Sequence, residues 1–470
     1  MDVSHRVEID VPMKGMRLTG LVGIPVLIAF LVKGLSSISS VQLVFAVGGL
    51  FATLLIVTSI TLDILRQRFD LFDHKYYALA GIFVFLVVGM LKSLWIYEEP
   101  VTDHLQTAMK AVLLVNLAIV AFLFGNALPF RMVARSRAVV ISVKKLFVIS
   151  ALYALAGSYV FYVYVTTAGE EELSSLFLWF GHLAPIGAIL GVFLLLAYRF
   201  KAALLFMASA IAFSILYGSR TPFMYIFFFT VAYALYRRYG GRPRIDPKVL
   251  AVLALFLVVS LFAGSAIKAL VGTGWQVSDI GEFTSTTVRL IQTLAFIDAF
   301  DNLCRIIELY VDQGLYLYGW SIAGALVNFV PRGLWADKPY SLGRLLVQDL
   351  TGETELTGTS FAPSLLGELV ANFGFLAGPI GYFVFGALTR FLSGRFRSLE
   401  HDSPYAILHL MSFVLLFLES RGDLLTVNMG GVFYLASTYI ALRLSSRRME
   451  RGNIGDEVVL RPLLARSRDS

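Results

Sequence analysis

Arg220 lies in Gly218-Ser219-Arg220-Thr221-Pro222, where two long apolar runs almost touch. Arg421 lies in Ser420-Arg421-Gly422-Asp423, a second tight break of the same kind. Arg332 belongs to Pro331-Arg332-Gly333-Leu334-Trp335-Ala336-Asp337-Lys338-Pro339, inside a long polar segment. A guanidinium presents a planar fork that fits two phosphate oxygens at once, whereas Lys338 offers a point charge. Arginines converging from separate turns on one membrane face therefore suit a lipid-linked phosphate or pyrophosphate. An arginine at a bilayer centre costs roughly 2.5–3.5 kcal/mol on insertion scales, so its presence near a span has a reason. A simpler reason stays open: an arginine at a span end snorkels to headgroups or pairs with an acid. Asp423 stands two residues from Arg421 for such a pair.

Glu368 and Asn372 form a second group, in Gly367-Glu368-Leu369-Val370-Ala371-Asn372-Phe373-Gly374. Four residues apart, they share one face of a helix. A carboxylate at the rim of an outward cavity can serve as general base for a hydroxyl nucleophile; an acid favoured by a helix dipole reads the same way. His182 stands near the outer end of an apolar run and could orient an acceptor sugar or simply pack, and His409 lies toward the other end of its run. Trp275, Tyr316, Tyr318, Trp320 and Trp335 could stack on sugar rings or sit in an interfacial aromatic belt.

The elements that must carry these residues are membrane spans. Apolar windows give about twelve of them: 17–33, 41–62, 76–96, 108–130, 146–168, 176–198, 202–218, 222–236, 249–271, 374–392, 405–419 and 424–442. With the N-terminus inside, 27 of the 39 Lys and Arg fall in cytoplasmic segments, so the positive-inside rule orients the chain. Both termini are then cytoplasmic, and the net charge of +7 is a topology signal, with no nucleic acid implied. The fold class expected is an all-α polytopic membrane protein with a large, partly helical extracytoplasmic loop between spans 9 and 10. The divisions are 1–271 for the first nine spans, 272–373 for the loop, 374–442 for the last three spans and 443–470 for a basic cytoplasmic tail. Within the loop, Asp298, Asp301, Arg305, Glu308 and Asp312 recur at spacings of 3, 4, 3 and 4. That pattern predicts an amphipathic helix on the membrane surface or over the bundle, within a small folded cap.

Composition agrees. The chain is 57% apolar, 14% aromatic and 15% charged, with a mean hydropathy of +0.76. Average soluble chains are about 45–50% apolar and about 25% charged, so a soluble enzyme and a disordered or collagen-like chain are excluded. Cys304 is the only cysteine, and the six histidines show no H-E-x-x-H or paired spacing. A zinc protease or a redox protein is not expected. The first apolar run starts near Leu18 with no A-x-A-like site after it, and reads as a span rather than a cleaved signal.

The many spans, the outer loop, P-R-x-x-W-x-x-K-P at 331–339 and G-E-x-x-x-N-F-G at 367–374 resemble the bacterial O-antigen and exopolysaccharide repeat-unit polymerases (Wzy-type). The Gly218-Ser219-Arg220 and Arg421-Gly422-Asp423 turns are similar too, while Val370 departs from the aromatic that relatives often carry there. The resemblance spans residues 210–440 by motif and the rest by topology. It implies a glycosyltransferase that moves a growing glycan from undecaprenyl diphosphate onto the next lipid-linked repeat, at the outer face of the cytoplasmic (inner) membrane. Glu368, with Asp423 and His182, would be the catalytic candidates; Arg220, Arg332, Arg421 and Lys338 would bind the pyrophosphate. No cofactor is expected. Loop 34–40 lacks the acids that many outward-facing lipid-phosphosugar enzymes use for a metal, so the reaction is expected to be metal-independent. The partners implied are the lipid-linked glycan as donor and acceptor, membrane lipid, a chain-length regulator and a flippase. Two alternatives remain: an O-antigen ligase of similar architecture, and a polysaccharide transporter or flippase.

Overall fold

The computed structural model describes residues 39–70, 72–92, 104–130, 139–166, 180–199, 220–239, 297–327, 330, 334–335, 337–352, 361–397, 399, 403–422 and 430–448. These residues are mostly helical. Among them, six helices precede the cap: α1 (Ser40–Leu65), α2 (His74–Lys92, π-helical over Ile82–Val87), α3 (Leu105–Asn126), α4 (Val143–Thr166), α5 (Leu183–Tyr198) and α6 (Arg220–Tyr239). In the cap, α7 (Ala299–Ile306) runs on through a π-helical turn, Ile307–Val311, and is followed by α8 (Trp320–Leu326), α9 (Leu342–Thr351) and α10 (Ser364–Phe373). The chain then continues through α11 (Ala377–Arg397), α12 (Ala406–Leu418) and α13 (Gly430–Ser445). Nine of the expected spans thus meet a helix, and 17–33, 202–218 and 249–271 lie outside the described residues.

Among the described residues, four helices are long and apolar enough to cross a membrane: Ser40–Leu65, His74–Lys92, Leu105–Asn126 and Val143–Val160. Their surfaces agree with that. On α1, Leu43, Val47, Phe51, Leu54 and Val57 form an exposed stripe, which water would penalise and acyl chains accept. Polar residues mark the helix starts. Ser39 and Gln42 close a capping box on α1, and Asp73 caps α2 by accepting from the Lys75 amide at 3.0 Å.

Two apolar clusters hold the helices together. One gathers α1, α2, α3, α7, α10 and α11 around Phe45, Phe122, Phe300 and Tyr382. The other gathers α4, α5, α6, α12 and α13 around Phe193, Phe229 and Phe413. Tyr77 of α2 stacks on Phe413 of α12 with centroids 4.2 Å apart, which ties the two clusters. The bundle has two distinct ends. At one, Asp63, Asp70 and Asp73 pair with Lys75 and Arg397. Strand β1 (Val139–Ile141), which leads into α4, pairs antiparallel there with β2 (Ser446–Arg448), which follows α13. The cap forms the other end.

The amphipathic pattern at 298–312 does become a helix, but α7 is packed into the bundle rather than laid on its surface. Ala299, Phe300, Leu303, Cys304, Ile306 and Ile307 join the first core cluster. The acids of its charged face meet partners on the rim: Asp301 takes Lys92 at 3.0 Å, and Asp312 takes Lys110 at 2.5 Å. Pairing with lysines at the ends of α2 and α3 is what lets a charged face turn inward.

Candidate functional site

Glu368 and Asn372 lie on one face of α10, 1% and 0% exposed. Both use Ser321 of α8. Ser321 Oγ donates to Glu368 Oε1, and Asn372 Nδ2 donates to Ser321 Oγ at 2.7 Å and to the Glu368 carbonyl at 2.7 Å. Asn372 thereby fixes the hydroxyl, and the hydroxyl fixes the carboxylate. The segment before α8 runs along the same helix, its Leu317 and Tyr318 amides bonding the Ala371 and Asn372 carbonyls at 3.0 Å each.

The glycines around this helix have structural reasons. A Cβ at Gly367 would stand 2.6 Å from Ile306 Cδ1, so glycine lets α7 close on α10. Gly374, at φ +86°, ends α10 in a conformation an L side chain resists. Ser364, at the other end, is held at φ +63° without that freedom, a conformation costing on the order of 1–3 kcal/mol. What holds it is the Arg421 turn: the Ser364 amide donates to the Arg421 carbonyl, and the Leu365 amide to the Glu419 carbonyl, both at 3.0 Å.

Of the arginine and lysine candidates, one is tied to the Glu368 helix and another stands beside α8. Arg421 belongs to the turn that pins Ser364, and its Nε stands 3.9 Å from Asp298 Oδ1 at the head of α7. Lys338 is buried and donates to the Val330 carbonyl at 2.9 Å. Its neighbour Pro339 packs on Gly324 of α8, the helix that carries Ser321. His182 sits elsewhere, at the head of α5, with Nδ1 3.3 Å from Tyr434 Oη of α13. Arg220 opens α6, but its side chain lies outside the described residues, as do Arg332 and Asp423.

Around this core the cap is held by charge. Lys92 Nζ donates to the Ile297 carbonyl at 2.9 Å and to Asp301 Oδ2 at 3.0 Å. Burial pushes the Asp301 carboxyl up from its ordinary 3.8, and the Lys92 charge pulls it back. Burial also holds the Cys304 thiol well above its usual range, an inert thiol rather than a nucleophile. Tyr310, buried and donating to Asp349 at 2.6 Å, is likewise shifted up. Beside α7, an open polar cavity of about 770 Å³ is lined by His104, Gln106, Thr107, Lys110, Glu308 and Asp312.

Chemically, the arrangement offers a buried carboxylate that accepts from the Ser321 hydroxyl, on a helix whose head is bonded to a turn bearing a guanidinium. Ser321 and Asp298 carried no sequence signal as site residues. A lone serine after Trp320 matches no motif, and Asp298 reads only as one member of a helical charge pattern. Compared with protein-family models, curated proteins and solved structures, the chain matches none.

Proposed function

We propose that this chain is a membrane glycosyltransferase that polymerises undecaprenyl-diphosphate-linked oligosaccharide repeats into O-antigen or exopolysaccharide at the outer face of the cytoplasmic membrane. The observation that carries the reading is the joining of motif segments far apart in sequence. The Arg421 turn is bonded to the head of the Glu368 helix, and the Lys338-Pro339 segment leans on the helix that supplies Ser321. Beside it stands the resemblance of those segments to repeat-unit polymerases.

In this reading the acceptor hydroxyl takes the place of Ser321 Oγ on Glu368. It attacks the anomeric carbon of the donor glycan, the bond from that carbon to the diphosphate oxygen breaks, and the proton passes to Glu368. Charge gathers on the departing lipid diphosphate, where arginines bind more tightly than in the ground state. Arg220, Arg332 and Arg421, with Lys338, take that part; Asp423 and His182 are the other catalytic candidates.

Glycan length in a deletion strain tests the class. Core capped with a single repeat indicates a polymerase, uncapped core a ligase, and lipid-linked units trapped inside a flippase. Complementation with Glu368→Gln tests the base. Turnover should fall about 10²–10⁴-fold while the protein stays in the membrane, and activity within a few-fold of wild type would move the role to Asp423, Asp337 or His182. Arg220→Ala and Arg332→Ala should abolish the ladder, with Lys rescuing partly because it lacks the fork.

A further inference from the structure

The turn before α8 presents large apolar side chains to the outside. Leu315 is 60% exposed, Tyr318 80% and Trp320 52%, and next to them Phe373 is 57% and Leu376 72% exposed. The Tyr318 turn and Phe373 meet on one surface, with Leu315 and Leu376 next to them along the chain. The Tyr318 amide bonds the Asn372 carbonyl, the Phe373 ring lies 3.5 Å from where a Gly319 Cβ would stand, and Tyr316 packs on Gly374. In this turn Tyr318 is held at φ +48° and Gly319 at φ +87°, an unusual backbone for a tyrosine, and its side chain stays exposed.

What covers this surface follows from its level in the bundle. Helix α11 runs alongside α3, with Gly378 against Leu114 and Gly386 against Phe122. Leu376 is therefore level with the early turns of α3, a helix apolar and long enough to span. There α3 also turns Met109 and Leu113 outward, 55% and 52% exposed. From Leu376 the apolar surface continues down α11 through Ile380, Val384 and Leu388, each exposed and about one turn apart. The patch is thus the upper end of a lipid-facing stripe. Tyrosine and tryptophan, apolar in body and polar at the tip, are the residues that settle at a headgroup boundary.

We infer that Leu315, Tyr318, Trp320, Phe373 and Leu376 form an interfacial anchor that dips into the headgroup–acyl boundary of the bilayer at the cap end. Trp320 directly precedes Ser321, so lipid holding this ring also holds the hydroxyl that fixes Glu368. The anchor itself does not depend on which reaction the site performs.

The test uses the full-length protein in liposomes. Cys304 is the only cysteine and is buried, so Tyr318→Cys can be labelled with a fluorophore, and labelled wild type gives the background. Gln313→Cys, exposed and polar, serves as the reference. Lipids with nitroxides near the acyl carbonyl should quench the Tyr318→Cys label several-fold more than the Gln313→Cys label, and aqueous iodide should do the reverse. A Tyr318→Cys label quenched by iodide as strongly as the reference, and untouched by lipid nitroxides, overturns the anchor. Iodide access that is then lost when a lipid-linked oligosaccharide is added would also overturn it, showing a sugar-stacking surface instead. If the label itself perturbs folding, quenching of native tryptophan by the same lipids, compared between wild type and Trp320→Phe, reads the same depth. Equal quenching of the two counts against the anchor.

Discussion

Lys92 and Asp301 are the residues on which the cap's attachment turns. Their side chains are 1% and 7% exposed and 3.0 Å apart, so neither charge has water to fall back on. Removing one partner of such a pair costs about 3–5 kcal/mol, whereas replacing both by apolar residues is often neutral or stabilising. Thermal unfolding in detergent should therefore show Lys92→Met well below wild type and Lys92→Met/Asp301→Leu close to it. A double variant as unstable as the single one would assign the pair more than mutual neutralisation. The pH dependence has a defined sign. The folded state binds the Asp301 proton more tightly than the unfolded chain does. The stability this group contributes is fully present below pH 3.8 and is lost as pH rises through its raised value. Asp301→Asn should flatten that part of the profile. The shared helix face of Glu368 and Asn372 was legible from their spacing. Ser321 was not, because its role comes from a helix packed against α10 and not from its neighbours in sequence.

Among the described elements, α3 and α11 bring their backbones very close together. A Cβ at Gly386 would stand 2.1 Å from the Phe122 carbonyl oxygen, and one at Gly125 1.9 Å from that of Phe383. Such contact between small residues is how helices associate where lipid offers no hydrophobic drive. Nearby, Asn126 Nδ2 donates to Thr389 Oγ1 at 2.8 Å. Gly386→Val must push the helices apart, against carbonyl backbone that cannot yield. Overpacking costs typically 1–3 kcal/mol, and the detergent melting temperature of this variant should fall accordingly. An unchanged melt would mean the two helices are not pressed together at that point. Many of the helix positions were readable from apolar runs, since a helix facing lipid or core must carry a long apolar surface. Which pairs touch was not, because glycines are scattered through most of the runs and only packing shows which ones meet.

For the whole molecule, the question is which end faces which compartment. Val140 pairs with Arg447, so the segment before α4 and the segment after α13 share one end. Arg397 shares an end with Asp70 and Asp73. On the expectation from charge bias, this end would be cytoplasmic and the cap would face the other side. Reporter fusions at Arg137, Arg242 and the C-terminal tail should accordingly register as cytoplasmic, and fusions at Glu171 and Gly352 as external. A cytoplasmic signal at Gly352 would remove the polymerase reading, since the cap would then face the wrong pool of lipid-linked donor.

By itself the sequence determined that the chain is mostly helical, that several of its apolar runs become helices able to cross a membrane, and that the charged pattern at 298–312 is helical. These are properties of runs and periods, and lipid enforces them locally on every segment. The tertiary structure decided the rest. It turned the acids of α7 toward rim lysines, fixed Ser364 in a left-handed conformation against the Arg421 turn, and placed Ser321 on Glu368. Each depends on residues tens to hundreds of positions apart meeting in one dry volume. There a charge or a hydroxyl is tolerated only when its partner arrives with it, and no local pattern announces where that partner will come from.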